Sequence, residues 1–335
     1  MSLLSKFSLQ EYMKACGVVN MNCGRIVNTD RNLYKTIFTK LALEKQYPDT
    51  SKLQVVELYP AVGMSSLAFH EVYKPKLQVL MEPKLSFGKL IKSHLELISS
   101  IKLYPKHPYL WESFISLIED KTIVVEKQSR DHIHDSFLIM GNLTDKSGEQ
   151  LYMQYLQCVG NRNWLQRFGL VRMLFWVRHK TAIKILAPLH SGKRSRCSLM
   201  TEAFTNTKLV ATTDQNIKEY DERVLKEHDP VIFSDQKDDY ALVEICPKEH
   251  NIDLDNWDYC IQRLMIMRST PLRDTLEILG HGASEYLRPR LKDTLLSLRP
   301  MDLTVEDFST IAREFANWPF KPTSLIDFYE PTEDH

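Results

Sequence analysis

The chain has 335 residues, 43% hydrophobic and 26% charged, with 43 Lys+Arg balanced by 43 Asp+Glu. This length predicts one large domain plus a smaller one, and the composition suits a globular chain with a sizeable buried core. No apolar run approaches the ~20 residues of a membrane helix, so no membrane role is expected, and a net charge of zero carries no information about partners.

The six cysteines, Cys16, Cys23, Cys158, Cys197, Cys246 and Cys260, form no CxxC pair. They read as reduced thiols. The start, MSLLSKFSLQEYMKACGVV, lacks a secretory pattern. Its Ser, Lys and apolar spacing fits an organelle-targeting segment or a plain N-terminal helix, and both readings stay open.

Leu33, Ile37, Phe38 and Leu41 share a helical face that Asn28 or Thr29 can cap. Leu53–Leu58 reads as a strand, and Pro60, Ala61 and Gly63 form a tight turn after it. Met64, Leu67 and Ala68 open a helix that Pro75 stops. Strand, small-residue turn and helix start form the first unit of a nucleotide-binding α/β fold, whose backbone N–H groups face a ligand. Leu77–Met81 is a second strand ending on Glu82. Glu82 follows Gly63 at the spacing at which this fold class holds a ribose hydroxyl.

Ser86–Ser99 reads as helix, and Ile101–Trp111 as a third strand with a loop. Tyr104, Pro105, Pro108, Tyr109 and Trp111 enrich that loop. Composition alone favours rings that cover the core edge over rings that stack on bases. Asp131-His-Ile-His-Asp135 offers one HxH without a third ligand and reads as a solvated loop, not a metal site. Phe137–Leu143 and Val171–Val177 are further strands, with helices at Gln150–Cys158 and from Thr181.

From Arg162 to Arg196 there are nine Lys/Arg and no Asp or Glu, with Trp164, Phe168 and Trp176 interleaved. This predicts a local basic face for nucleic-acid phosphates. Val231–Phe233 and Tyr240–Ile245 read as an antiparallel hairpin closing the sheet. Helical patterns follow at Trp257–Met267, Pro271–Leu279 and Asp302–Trp318, the last capped by Asp302 or Thr304. Three prolines make 319–335 a mobile tail. Its patch Leu325, Ile326, Phe328 and Tyr329 either folds onto a partner or has no role.

The strand–turn–helix, Glu82 and the strand ending in Asn142 resemble the rRNA adenine N6-dimethyltransferase family over about Asn28–Trp318. That resemblance implies a Rossmann-like class I methyltransferase α/β domain over 1–252, a small all-α domain over 253–318 and the tail over 319–335. It maps the S-adenosylmethionine pocket onto Ile26, Glu57, Gly63, Glu82, His107 and Asn142. The departures weigh more than the matches. Tyr59 and Ala61 replace turn glycines, where a Cβ or a ring obstructs a ligand. His107 stands for a carboxylate, and Thr144 and Asp145 replace the Pro-aromatic pair of the catalytic motif, removing a base-stacking partner. The resemblance with these departures implies a chain that is not an enzyme and requires no cofactor, residual S-adenosylmethionine binding being left open.

The strings AFTNTKL (203–209), DNWDY (255–259), RSTPL (268–272), LGHG (279–282) and WPFKP (318–322) resemble the fungal mitochondrial transcription factor B group within that family. This implies a mitochondrial initiation factor that joins the single-subunit mitochondrial RNA polymerase at promoter DNA. It would hold the non-template strand and send its tail toward the template strand, with no stable homo-oligomer. The group's strand-trapping aromatics fall on Tyr109 and Trp111. Arg178, Lys184 and Arg194 are the candidate phosphate contacts. The competing reading is an active rRNA adenine N6-dimethyltransferase using S-adenosylmethionine.

Overall fold

The computed structural model describes residues 24–325. The targeting-or-helix reading of residues 1–19 lies outside the described residues, as do Ile326, Phe328 and Tyr329 of the tail patch. The described chain falls into two units. One runs to Ile183 and resumes over Thr205–Glu249, and the other holds Lys184–Phe204 and the chain from His250 onward. The second unit therefore includes a segment that the sequence reading assigned to the α/β domain.

The first unit is built on one eight-stranded sheet in the order β3-β2-β1-β4-β5-β8-β6-β7. β1 (Gln54–Leu58), β2 (Leu77–Met81), β3 (Ile101–Tyr104), β4 (Ile133–Leu143) and β5 (Leu170–Arg178) are mutually parallel. All five β1 residues are buried, Gln54 and Glu57 among them: a parallel strand covered on both faces has no solvent side, so even its polar residues lie inside. β1 pairs with both β2 and β4, so the strand order reverses around it. Fold chemistry places ligands at such a switch point, beyond the strands' carboxyl ends. Gly141 of β4 sits against β1 there: an added Cβ would lie 2.8 Å from Leu58 Cβ.

α1 (Arg31–Leu41) and α2 (Met64–Tyr73) pack on this sheet through Phe38, Phe69 and Tyr73. The cap of α1 is Asp30, whose side chain accepts from Asn32 N and Leu33 N, not Asn28 or Thr29. α3 (Leu85–His94), α4 (Trp111–Glu119) and α5 (Gly148–Asn161) follow β2, β3 and β4.

The expected hairpin is not formed. β8 (Tyr240–Pro247) runs antiparallel to both β5 and β6 (Thr205–Thr213), and β7 (Val231–Phe233) pairs in parallel with β6 at the sheet edge. β8 is buried along nearly its whole length and needs a neighbour on each side. The three-residue β7, with Ile232 exposed, is a short edge strand. β6 carries little strand signal in sequence, because TNTKLVATT holds only a three-residue apolar stretch, Leu209–Ala211, among threonines and polar residues.

α6 (His179–Ile185) carries the unit boundary, and α8 (Glu222–His228) precedes β7. The second unit contains α7 (Arg196–Phe204), which no sequence signal announced, together with α9 (Leu254–Leu264) and α10 (Val305–Ala316). Trp257, Leu264, Phe308, Ile311 and Phe315 form its buried centre, and Tyr259 stacks on Phe315 at 5.2 Å. Thr304 caps α10 in a reciprocal capping box with Asp307. Trp318 is buried, and Lys321 Nζ donates to Asn256 Oδ1 at 3.2 Å. The chain after α10 is thus tied down through at least Lys321, where the sequence reading began a mobile tail.

Candidate functional site

The turn after β1 keeps a glycine-like backbone at three positions, only one of which, Gly63, is glycine. Tyr59, Ala61 and Gly63 all have left-handed φ, at 54°, 53° and 75°. For L-residues that conformation is costly by roughly 1–2 kcal/mol each. The Tyr59 ring is buried. Its hydroxyl meets His107 Nδ1 at 3.1 Å, and the Arg25 guanidinium lies 4.4 Å from its centroid. Burial pushes the Tyr59 phenol well above its usual pKa. Burial and the nearby Arg25 charge hold the His107 imidazolium below its usual range.

Glu82 is buried at the end of β2 with its acceptor sites occupied. It accepts from Ala61 N at 3.0 Å, from Lys84 N at 2.9 Å, and from Arg25 Nη2 at 3.2 and 3.3 Å. Burial still lifts its carboxyl above the usual range against those donors. Glu57, on β1, is pushed up to about 7 by complete burial, although Gln78 Nε2 donates to it at 2.8 Å.

Asn142 is likewise engaged within the chain. Its Nδ2 donates to Ile26 O at 2.8 Å, and its Oδ1 accepts from Thr144 N and from Thr144 Oγ1 at 2.6 Å. Thr144 Oγ1 accepts from Ile26 N at 2.7 Å. The space beside Glu57, Ala61, Met140 and Asn142 is about 20 Å³, room for one water. Around β1, Arg25 thus meets Glu82, Tyr59 meets His107, and Ile26 and Thr144 meet Asn142, while Glu57 faces Gln78 and Gly63 opens α2.

A row of rings leads outward from this point. Tyr59 and His107 lie 5.5 Å apart, and His107 and Tyr109 lie 6.5 Å apart. Tyr109 is half-buried and donates its N–H to His107 Nδ1 at 3.3 Å. Trp111, the first residue of α4, is 41% exposed and lies against Trp164 at 4.8 Å. Within the loop, Tyr104 and Pro108 cover the core, while Trp111 offers a surface.

The basic run does not make one face. Arg162 pairs with Glu249, Arg172 with Glu244 at 3.2 Å, Arg194 with Glu202 at 2.6 Å and Arg196 with Asp258 at 2.6 Å. Each of these acids lies beyond the run, invisible to a local charge count. Arg194 is a correction: it is wholly buried, and its Nη2 donates to Leu303 O at 3.3 Å, so it has no reach toward a phosphate. Arg178 is exposed and donates to Gly24 O at 3.3 Å, and Lys184 is half-exposed in the second unit. Trp164 and Trp176 are buried core residues, not an outer platform. In the His-rich stretch, His134 belongs to β4, is fully buried, and contacts Glu126 O through Nε2 at 2.9 Å. That stretch is therefore not a solvated loop throughout. Among the described residues no group of three or more His, Cys, Asp or Glu could hold a metal ion.

Arg25 is the site residue that sequence reasoning missed. One arginine in GRIVNTD gives no hint of its long-range partners.

The sheet order and the glycine-shaped turn define a class I methyltransferase scaffold. Its fold matches a dimethyladenosine transferase from Plasmodium falciparum (TM-score 0.57, 13% identity, 87% of this chain and 98% of that one). It also matches the 23S rRNA methyltransferase ErmE (TM-score 0.51, 13% identity, 85% and 97%). The ribosomal RNA adenine dimethylase family profile matches residues 20–316. The chain is 42% identical to Mitochondrial transcription factor 1 of Lachancea kluyveri, over 91% of its own length and 92% of that protein's. It is 41% identical to the protein of that name from Saccharomyces cerevisiae, over 89% and 90%. The chain belongs to the ribosomal RNA adenine dimethylase family and, within it, to the fungal mitochondrial transcription factor 1 group.

Proposed function

We propose that this protein is a mitochondrial transcription initiation factor that works with the mitochondrial RNA polymerase at promoter DNA and transfers no methyl group. Group membership supports the mitochondrial location and the transcriptional role. The observation that carries the non-enzymatic part is the Arg25–Glu82–Tyr59–His107 cluster. A methyl donor entering the switch point would have to displace a buried ion pair and a buried ring. Asn142, the residue positioned to accept from an adenine amino group, already takes two hydrogen bonds from Thr144.

In this reading Tyr109 and Trp111 hold an unpaired base of the non-template strand by stacking, worth ~1–3 kcal/mol per base. Arg178 and Lys184 supply phosphate contacts, and residues beyond Leu325 approach the template strand. Two experiments test the proposal. Calorimetry with S-adenosylmethionine should give no heat of binding in the micromolar range, and methyl transfer to an rRNA hairpin would instead support the dimethyltransferase reading. Tyr109→Ala/Trp111→Ala should fold normally and weaken promoter opening, read by 2-aminopurine fluorescence in the presence of the polymerase. Unchanged opening would reject the assignment.

A further inference from the structure

Trp164 follows α5 after two residues, and its backbone is unusual. Arg162 and Trp164 both have left-handed φ, at 54° and 51°. A bulky side chain at positive φ is an outlier that the surroundings must enforce. The indole is 7% exposed, and its Nε1 has no hydrogen-bond partner among the described residues. The hydroxyl of Tyr155, whose ring lies 4.6 Å away, has none either. Space-filling alone would be served at lower cost by a residue without a polar atom and with ordinary backbone.

What this conformation provides is a ring plane under the exposed loop. Trp111 sits on Trp164 at 4.8 Å with planes 41° apart, Tyr155 lies on Trp164 with planes 30° apart, and Phe114 closes the edge at 4.5 Å. Trp111 therefore keeps one face covered, and the opposite side is available to solvent.

We propose that Trp164 is a positioning residue: it holds the Trp111 indole so that a base stacks on its outer face, extending the row Tyr155–Trp164–Trp111 by one ring. The inference rests on the reading of Trp111 given under Proposed function. The test uses the full chain and a promoter duplex with a preformed bubble carrying 2-aminopurine. An unmelted duplex serves as the reference, and the exciton couplet of the two indoles is followed by circular dichroism. Trp164→Met should abolish the couplet and weaken bubble binding about fivefold without changing duplex binding. Trp164→Phe should restore bubble affinity to within about twofold of the parent.

A folded Trp164→Met chain that binds the bubble as the parent does, beside a weakened Trp111→Ala, overturns the positioning role and leaves Trp111 in place. Parental binding by both variants removes the underlying reading as well. If Trp164→Met does not fold, the unaltered chain decides. Saturation with the bubble should change its couplet, and an unchanged couplet overturns the proposal.

Discussion

Arg25→Ala tests the ion pair at the switch point. The substitution removes both contacts to Glu82, at 3.2 and 3.3 Å, and the guanidinium 4.4 Å over Tyr59. The Glu82 side chain is fully buried and would keep only the Ala61 and Lys84 N–H groups. Leaving a buried carboxylate without its cation costs about 3–5 kcal/mol, and the lost cation–π contact adds ~1 kcal/mol. The Glu82 carboxyl already sits above its ordinary 4.5 in the parent chain, and losing Arg25 raises it further. The variant's folded state therefore binds a proton that its unfolded state has released above pH ~4.5. Its penalty must grow as pH rises and shrink once Glu82 is protonated in both states. Urea unfolding followed by tryptophan fluorescence should give a loss of about 3 kcal/mol or more near pH 8, falling to about 1 kcal/mol near pH 4.5. A pH-independent loss, or one under about 1 kcal/mol at the higher pH, would refute the argument.

Glu57→Gln should act in the opposite direction. The carboxyl is moved from 4.5 to about 7 by burial, so stability is lost as pH climbs through that window, by at most ~3 kcal/mol. The amide keeps an acceptor for Gln78, and its melting temperature should exceed the parent's above neutrality and match it near pH 4. Ala61→Gly should leave stability within about 0.5 kcal/mol of the parent in thermal melts, because relief of the left-handed φ offsets the lost methyl. Arg194→Ala should destabilise by about 3 kcal/mol yet leave the salt slope of DNA binding unchanged, while Arg178→Ala lowers that slope by about 1 without loss of stability.

Much of the frame is legible in sequence because its signals are local. β1 announces itself by an apolar run, the turn by Pro60 and Gly63, and Glu82 by its distance from that turn. Long-range pairings leave no such mark. Nothing near Tyr240–Pro247 says that a threonine-rich strand will lie beside it, and nothing near Arg194 says that Glu202 and Leu303 will enclose it. The stretch Arg162–Arg196 reads as a basic surface because the acids that pair with Arg162, Arg172, Arg194 and Arg196 come from outside it. The residues that the family resemblance maps onto a pocket include Glu82 at the end of β2 and Asn142 near the end of β4. What fills the space between them depends on Arg25 and on side chains at positive φ, which only the folded geometry displays.

The central claim is that this methyltransferase scaffold opens promoters by holding a separated strand. The most direct test is promoter opening by the mitochondrial RNA polymerase, followed by 2-aminopurine placed at the start site, with and without this protein and without S-adenosylmethionine. The account predicts a fluorescence rise only when the protein is present, lost in Tyr109→Ala/Trp111→Ala. Equal opening by the polymerase alone, or a requirement for the methyl donor, would contradict it.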